Sequence, residues 1–174
     1  MTDKTKYQTE TWAIRGGIDR SDQGEHSELM YLTSSYLFKS AEQAATRFSG
    51  EDGGNVYSRY TNPTVKAFEE RLALMEQSDA CVATSSGMAA ILSTCMALLQ
   101  AGDHIVCSRD VFGSTTVLLN KFLAKMGVET TYVGLTDLDD WKAACQDNTK
   151  LFFLESPSNP LCEVADIPAL SKLA

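Results

Sequence analysis

The chain has 174 residues, 44% of them hydrophobic, enough to bury one sizeable core and so to form one domain or part of one. Fifteen Lys and Arg against 23 Asp and Glu leave a net charge of -8, and no basic run interleaved with aromatic residues offsets it, so nucleic acid is not an expected partner. The polar start, residues 1–10, lacks the apolar core of a signal peptide and no later stretch is long and apolar enough to span a membrane, so no membrane association and a cytoplasmic location are expected.

In chain order, residues 1–61 carry Gly16-Gly17, a polar run over 19–28 and a Gly-rich acidic stretch over 50–54, with one short helical pattern at 41–48. They read as an extended arm. The pattern changes near Asn62: Val65, Phe68, Leu72 and Met75 give helical spacing over 64–76 behind Pro63. A short β pattern at 80–84 follows, then Ser85-Ser86-Gly87 leads into 88–99, a segment apolar almost all round, expected to be a buried helix closed by Gly102. Strands are expected at 104–108, 129–133 and 151–155, and helices at 115–126 and 137–146, the latter capped by Thr136 with Asp139 completing a capping box. Asp166-Ile167-Pro168 opens a last helix. Strands alternating with helices predict an α/β fold with a largely parallel sheet covered on both faces. The five cysteines, Cys81, Cys95, Cys107, Cys145 and Cys162, are scattered without C-x-x-C spacing and read as free thiols packed as small apolar side chains.

In open α/β sheets ligands lie beyond the carboxyl ends of the strands, which singles out three loops. At Ser85-Ser86-Gly87, Ser86 can cap, and the free amides of Gly87 and Met88 at a helix N-terminus make an anion seat, unless the loop is a plain cap. Neither a G-x-x-x-x-G-K-[ST] nor a G-x-G-x-x-G sequence occurs there. Phe112 is either a ring on which a flat ligand stacks or a core aromatic beneath its loop. Glu155 and Asn159 sit in a stiff loop with Pro157 and Pro160, a functional loop or a mere connection. Upstream, Tyr57 and Arg59 set a phenol and a guanidinium two residues apart, pointing the same way if the segment is extended. That pair is a phosphate clamp or an ordinary solvated surface. His104 reads as a strand residue, and His26 as a solvated loop histidine or a substrate contact.

In this order and spacing, Tyr57-Ser58-Arg59 with Asn62-Pro63-Thr64, Ser86-Gly87-Met88-Ala89-Ala90, and Glu155-Ser156-Pro157-Ser158-Asn159-Pro160 resemble the Cys/Met-metabolism family of pyridoxal 5'-phosphate enzymes, over almost the whole chain. Gly24-Glu25-His26-Ser27-Glu28, Leu32-Thr33-Ser34-Ser35-Tyr36 and Val111-Phe112-Gly113-Ser114-Thr115 look most like its O-succinylhomoserine sulfhydrylase branch. The resemblance implies the large domain of the type I, aspartate aminotransferase-like fold, with residues 1–62 as an arm and helix contacting a neighbouring subunit and 63–174 as the first part of the cofactor domain. It implies that Ser86, Gly87 and Met88 hold the cofactor phosphate, that Tyr57 and Arg59 reach the phosphate bound by a neighbouring subunit, and that Asn159 bonds the ring oxygen with Glu155 supporting it. Phe112 falls where most of the family has a stacking Tyr, so stacking survives without the hydroxyl.

The implied partners are O-succinylhomoserine and sulfide, which γ-replacement would turn into homocysteine and succinate, in a homo-oligomer built as a dimer of dimers. Cystathionine γ-synthase and methionine γ-lyase activities are the alternatives, and a non-catalytic fragment that binds phosphate or a partner subunit is the alternative of another class. Family members are considerably longer. The Schiff-base Lys, the Asp that pairs with the pyridine nitrogen and the substrate-carboxylate Arg would lie beyond Ala174. The chain is therefore expected to be truncated and, alone, inactive.

Overall fold

The computed structural model describes residues 6–174, so the first five residues of the polar start lie outside the description. Contacts divide the chain into two compact units, residues 1–83 and 84–174.

In the first unit, α1 (Thr9–Arg15) packs on α3 (Pro63–Met75), burying Trp12 and Ala73. The composition change near Asn62 therefore falls inside this unit. Arg71 of α3 fastens the chain before it, donating from Nε to the Gly16 carbonyl at 2.9 Å and pairing with Glu28. Gly17 (φ 70°) passes so close to α3 that a Cβ there would meet the Ala67 carbonyl oxygen. α1 has no counterpart in the sequence reading, whereas α2 (Ala41–Ser49) matches it, with Ser40 as N-cap and Gly50 in the left-handed region as C-cap. Residues 80–84, expected as a strand, form none. They have no ladder partner among the described residues, and the Ala83 N–H is satisfied instead by Glu69 Oε1 at 2.7 Å.

The second unit is a three-stranded parallel sheet of order β2-β1-β3, with β1 (His104–Ser108) between β2 (Glu129–Val133) and β3 (Thr149–Phe153). Every residue of β1 is buried. Its alternation sends Ile105 and Cys107 to one face, with Cys95, Leu119 and Leu123 from α4 (Gly87–Leu98) and the helical stretch that α5 (Gly113–Val117) opens. Val106 goes to the other face, against Trp141 of α6 (Leu138–Ala144) and Leu170 of α7 (Ile167–Leu173). The expected parallel α/β architecture with helices on both faces is thus present. β3 begins and ends two residues earlier than expected, and its start is irregular: His104 pairs with Thr149 but Ile105 with Leu151.

Other differences are local. The helix expected over 115–126 is α5 followed by a π segment (Leu118–Leu123) and a 3-10 turn (Ala124–Met126). α6 is capped by Asp137, whose Oδ1 accepts from the Asp139 and Asp140 amides, and not by Thr136; the carboxylate is the stronger acceptor at that end. α4 ends at Leu98 with Leu99 already extended, and Gly102 lies in the turn beyond. α4 is not a buried helix either: Cys95 alone is fully buried and Met96 is 55% exposed. Only the side facing the sheet finds a partner in this unit. Of the cysteines, Cys95 and Cys107 are core residues, whereas Cys145 and Cys162 are exposed and Cys81 is intermediate. The exposed pair sit beyond regular structure, at the C-cap of α6 and in the turn after Pro160.

His104 is a strand residue, as expected, and fully buried. Its Nδ1 lies 2.8 Å from Thr149 Oγ1 and its Nε2 lies 2.9 Å from Thr131 Oγ1, so the ring ties β1 to both neighbours. The Gln146 side-chain amide, 3.3 Å from Nε2, donates there and favours the tautomer protonated on Nδ1. Burial lowers the His104 pKa from its ordinary 6.5, against a smaller opposing pull from the Glu129 carboxylate. The unfolded chain therefore takes up the proton first as pH falls. The neutral ring's contribution is present above pH 6.5 and lost as pH drops through the lowered folded value. Urea unfolding should show stability falling by up to about 1.4 kcal/mol per pH unit as pH drops from 6.5 toward the lowered folded value and levelling off below it, and His104→Asn should flatten this component. An unchanged slope in the variant would show that His104 is not its source.

Candidate active site

The crossovers of the second unit fix where a ligand can sit. The chain leaves β1 toward the face holding the α5 stretch, and leaves β3 toward the face holding α7. Adjacent strands whose exits go to opposite faces open a crevice between their carboxyl ends. Phe112 follows β1 and Glu155 follows β3, and the Phe112 N–H donates to Glu155 Oε1 at 3.0 Å. This bond joins the two loops across the crevice. The Phe112 ring is 57% exposed, so it is not a core aromatic under its loop. Below it Cys107 is fully buried, and burial, aided by the Glu155 carboxylate, pushes its thiol up to about 12. It is a protonated packing residue rather than a nucleophile.

α4 feeds β1 through the short turn at 99–103 and packs along the sheet, so its N-terminus lies at the same carboxyl edge. Ser86 caps it, Oγ accepting from the Ala89 N–H at 3.1 Å. The amides of Gly87 and Met88 have no acceptor among the described residues, and a Cβ built on Gly87 meets nothing within 4 Å. Open space and free donors at the positive end of a 12-residue helix give an arrangement able to receive an anion.

The loop after β3 is held from within. Buried Ser158 donates its N–H to the Glu163 carbonyl at 2.9 Å and accepts the Glu163 N–H on Oγ at 3.1 Å, while Ser156 Oγ accepts the Ala165 N–H. Both proline bonds, Ser156-Pro157 and Asn159-Pro160, are cis. Asn159 is exposed at the tip, and its side-chain amide has no hydrogen-bond partner among the described residues. Ser158 carried no role in the sequence reading, since a Ser between prolines gives no sign of burial.

The Tyr57–Arg59 pair lies in the first unit, and it is not extended as expected. Tyr57 bridges Ser35, and its carbonyl accepts from Tyr60 N–H at 2.9 Å and Thr61 N–H at 3.0 Å, forming a turn. The side chains meet all the same, because the Arg59 guanidinium lies 5.6 Å from the Tyr57 ring centre and 5.0 Å from that of Tyr60. Arg59 has no carboxylate partner among the described residues, only the Tyr60 hydroxyl at 3.3 Å. The rest of its fork of donors has no hydrogen-bond partner among the described residues. Asn62, Thr64 and Ser58, to which sequence reasoning gave no separate role, hold this turn. His26 is exposed.

Free backbone amides, an exposed ring and an unpaired amide side chain at one sheet edge fit a flat phosphorylated heteroaromatic. Residues 10–174 match the family described as Cys/Met metabolism PLP-dependent enzyme. The chain belongs to that family. Its cofactor is pyridoxal 5'-phosphate, which the donor set above suits. The chain is 54% identical over 95% of its length to O-succinylhomoserine sulfhydrylase of Pseudomonas aeruginosa. It is 42% identical over 97% of its length to L-methionine γ-lyase of Fusobacterium nucleatum. These alignments cover 41% and 43% of the two relatives. Among solved structures, that of an O-acetylhomoserine (thiol)-lyase of Campylobacter jejuni carrying N'-pyridoxyl-lysine-5'-monophosphate superposes with a TM-score of 0.87 at 34% identity, covering 97% of this chain and 42% of that one. Cystathionine γ-lyase of Lactobacillus plantarum gives 0.83 at 36% identity, with 97% and 42% covered. The family and the parallel α/β fold thus agree.

Because its ring is exposed, Phe112→Ala should lower the stability of the cofactor-free protein by less than about 1 kcal/mol in thermal or urea unfolding. A loss of about 3 kcal/mol or more would mean that the ring belongs to a core.

Proposed function

We propose that the protein this chain belongs to is a sulfhydrylase that replaces the γ-substituent of O-succinylhomoserine with sulfide, giving homocysteine and succinate. The observation that carries the chemistry is the Phe112 loop, its backbone N–H held across the β1–β3 crevice by Glu155 and its ring exposed, on the edge that also bears the free amides of Gly87 and Met88. The choice of substrate rests on 54% identity to an O-succinylhomoserine sulfhydrylase, against 42% to a methionine γ-lyase and 42% to an O-acetyl-L-homoserine sulfhydrylase. Those identities keep the lyase and the acetyl-ester enzyme as competing readings, with cystathionine γ-synthase beside them.

Pyridoxal phosphate, when bound, supplies an electron sink conjugated to the substrate's α-carbon. On this reading Gly87 and Met88 donate their N–H groups to the cofactor phosphate, with Ser86 beside them as cap and contact. Phe112 stacks on the pyridine ring and, having no hydroxyl, moves no proton. Asn159 donates to the ring oxygen, and Glu155 keeps the Phe112 loop in place. Tyr57 and Arg59, solvent-facing here, hold the phosphate of a neighbouring subunit, which makes the working unit at least a dimer, and we propose a dimer of dimers in the cytoplasm. Residues 1–62 serve this intersubunit contact, and 63–174 form the first part of the cofactor domain.

The chain alone is proposed to seat the cofactor without turnover. Its second unit has five lysines, Lys121, Lys125, Lys142, Lys150 and Lys172, placed along helices or at the start of β3, away from the carboxyl edge. That arrangement also favours the second reading, in which these 174 residues by themselves only bind phosphate or a partner subunit.

In the full-length protein, O-succinylhomoserine with sulfide should yield homocysteine and succinate. Cystathionine formed preferentially from cysteine, or a 2-oxo acid formed without added nucleophile, would overturn the assignment. Arg59→Ala should raise the cofactor dissociation constant by about ten- to a hundredfold, corresponding to a charge-assisted bond of roughly 1.5 to 3 kcal/mol, with the fold intact. Unchanged affinity would mean that Arg59 does not meet the phosphate.

A further inference from the structure

Asn62 joins three stretches of the first unit through one side chain. Its Oδ1 caps α3, accepting from Thr64 N–H at 2.9 Å and Val65 N–H at 3.4 Å. Those two donors fix the amide's orientation, because only an oxygen can accept from them. Nδ2 then faces the Tyr31 carbonyl oxygen at 3.1 Å and Ser58 Oγ at 3.1 Å. Each polar position of the amide is used. Its neighbours extend the lattice: Thr64 Oγ1 accepts the Tyr31 N–H at 2.9 Å and donates to the Leu29 carbonyl, while Ser58 donates its N–H to the Ser34 carbonyl and its hydroxyl to the Thr33 carbonyl.

Ser58 lies between Tyr57 and Arg59, so whatever fixes Ser58 fixes the turn that presents them. Arg59 itself has no ion pair among the described residues to hold its backbone, and its two ring contacts are to residues of the same turn. From this geometry we infer that Asn62 is a positioning residue: through Nδ2 it latches the Tyr57–Arg59 turn to the N-terminus of α3 and to residues 29–33, and so sets where the guanidinium points. The part of this inference that concerns the cofactor rests on the phosphate role proposed for Arg59.

The two edges of the amide can be separated by substitution. Asn62→Asp keeps the capping oxygen, and Asp caps helices as well as Asn does, but it lacks the donors to Ser58 and Tyr31. Asn62→Ser likewise keeps a cap without adding charge. In the full-length protein, amide hydrogen exchange should quicken at residues 57–61 in both variants, while protection across 66–75 and the melting temperature stay close to wild type. Unchanged exchange at 57–61 would overturn the latch, whatever the cofactor does. The second readout is cofactor affinity. Both variants should weaken it by about tenfold, and neither should weaken it further in an Arg59→Ala background, since the latch acts through Arg59. Full, additive losses would show that Asn62 acts elsewhere and would overturn the link to the clamp. If Arg59→Ala alone leaves affinity unchanged, the phosphate role fails, and the exchange result still decides the latch.

Discussion

The structure of the second unit depends on one constraint: β1 must be buried on both faces and paired on both edges. Its five residues are all buried, Ile105 and Cys107 against α4 and the α5 stretch, Val106 against α6 and α7. With β2 and β3 parallel on either side, the right-handed crossovers have to leave toward opposite faces. The crevice at the carboxyl edge follows from that division. His104 secures the opposite end of the same strand, its ring spanning from Thr131 on β2 to Thr149 on β3. Removing apolar bulk from β1 would therefore disturb the ligand edge as well as the core.

What the edge presents to a ligand is set by side chains that satisfy backbone groups. Glu155 takes the Phe112 amide, Ser86 takes the third amide of α4 and leaves the first two free, and Ser156 and Ser158 close the loop that carries Asn159. Each such bond is worth only about 1 kcal/mol net. Together they hold three loops whose tips, Phe112, Gly87 and Asn159, are exposed. The groups proposed to meet the cofactor are thus ones the fold leaves without partners. In the first unit Asn62 has the corresponding task for Arg59.

The parts legible in the sequence are those decided by local pattern. β1 and β2 appear at the expected residues because a short apolar run and an alternating run leave little freedom in register, and α3 starts at Pro63 while α7 carries Pro168 in its first turn. The parts not legible depend on partners distant in sequence. Residues 80–84 have strand composition but no strand beside them among the described residues, and Val82 is 80% exposed. Seven-residue α1 is too short to declare itself and exists by packing Trp12 on α3. At the site, the residue types at the sheet edge could be named from strand–loop order and from the family resemblance. That Glu155 bonds a backbone amide of the other loop, and that Tyr57 and Arg59 meet by a turn and not by alternation, required coordinates.

The central claim is that the cofactor's phosphate sits on the free amides opening α4. Gly87 is the first residue of that helix, behind an extended Ser86, and has open space around its missing Cβ. Proline is well tolerated at this position; it removes the N–H and sets its ring Cδ in that proton's place, whereas Gly87→Ala adds a Cβ and keeps the N–H. The decisive measurement is the pyridoxal phosphate dissociation constant of Gly87→Pro beside Gly87→Ala in the full-length protein, with melting curves of the cofactor-free forms. The account predicts unchanged melting for both, about tenfold or greater weakening for Gly87→Pro, and affinity within about twofold of wild type for Gly87→Ala. A Gly87→Pro protein that folds and binds the cofactor as tightly as wild type would contradict it.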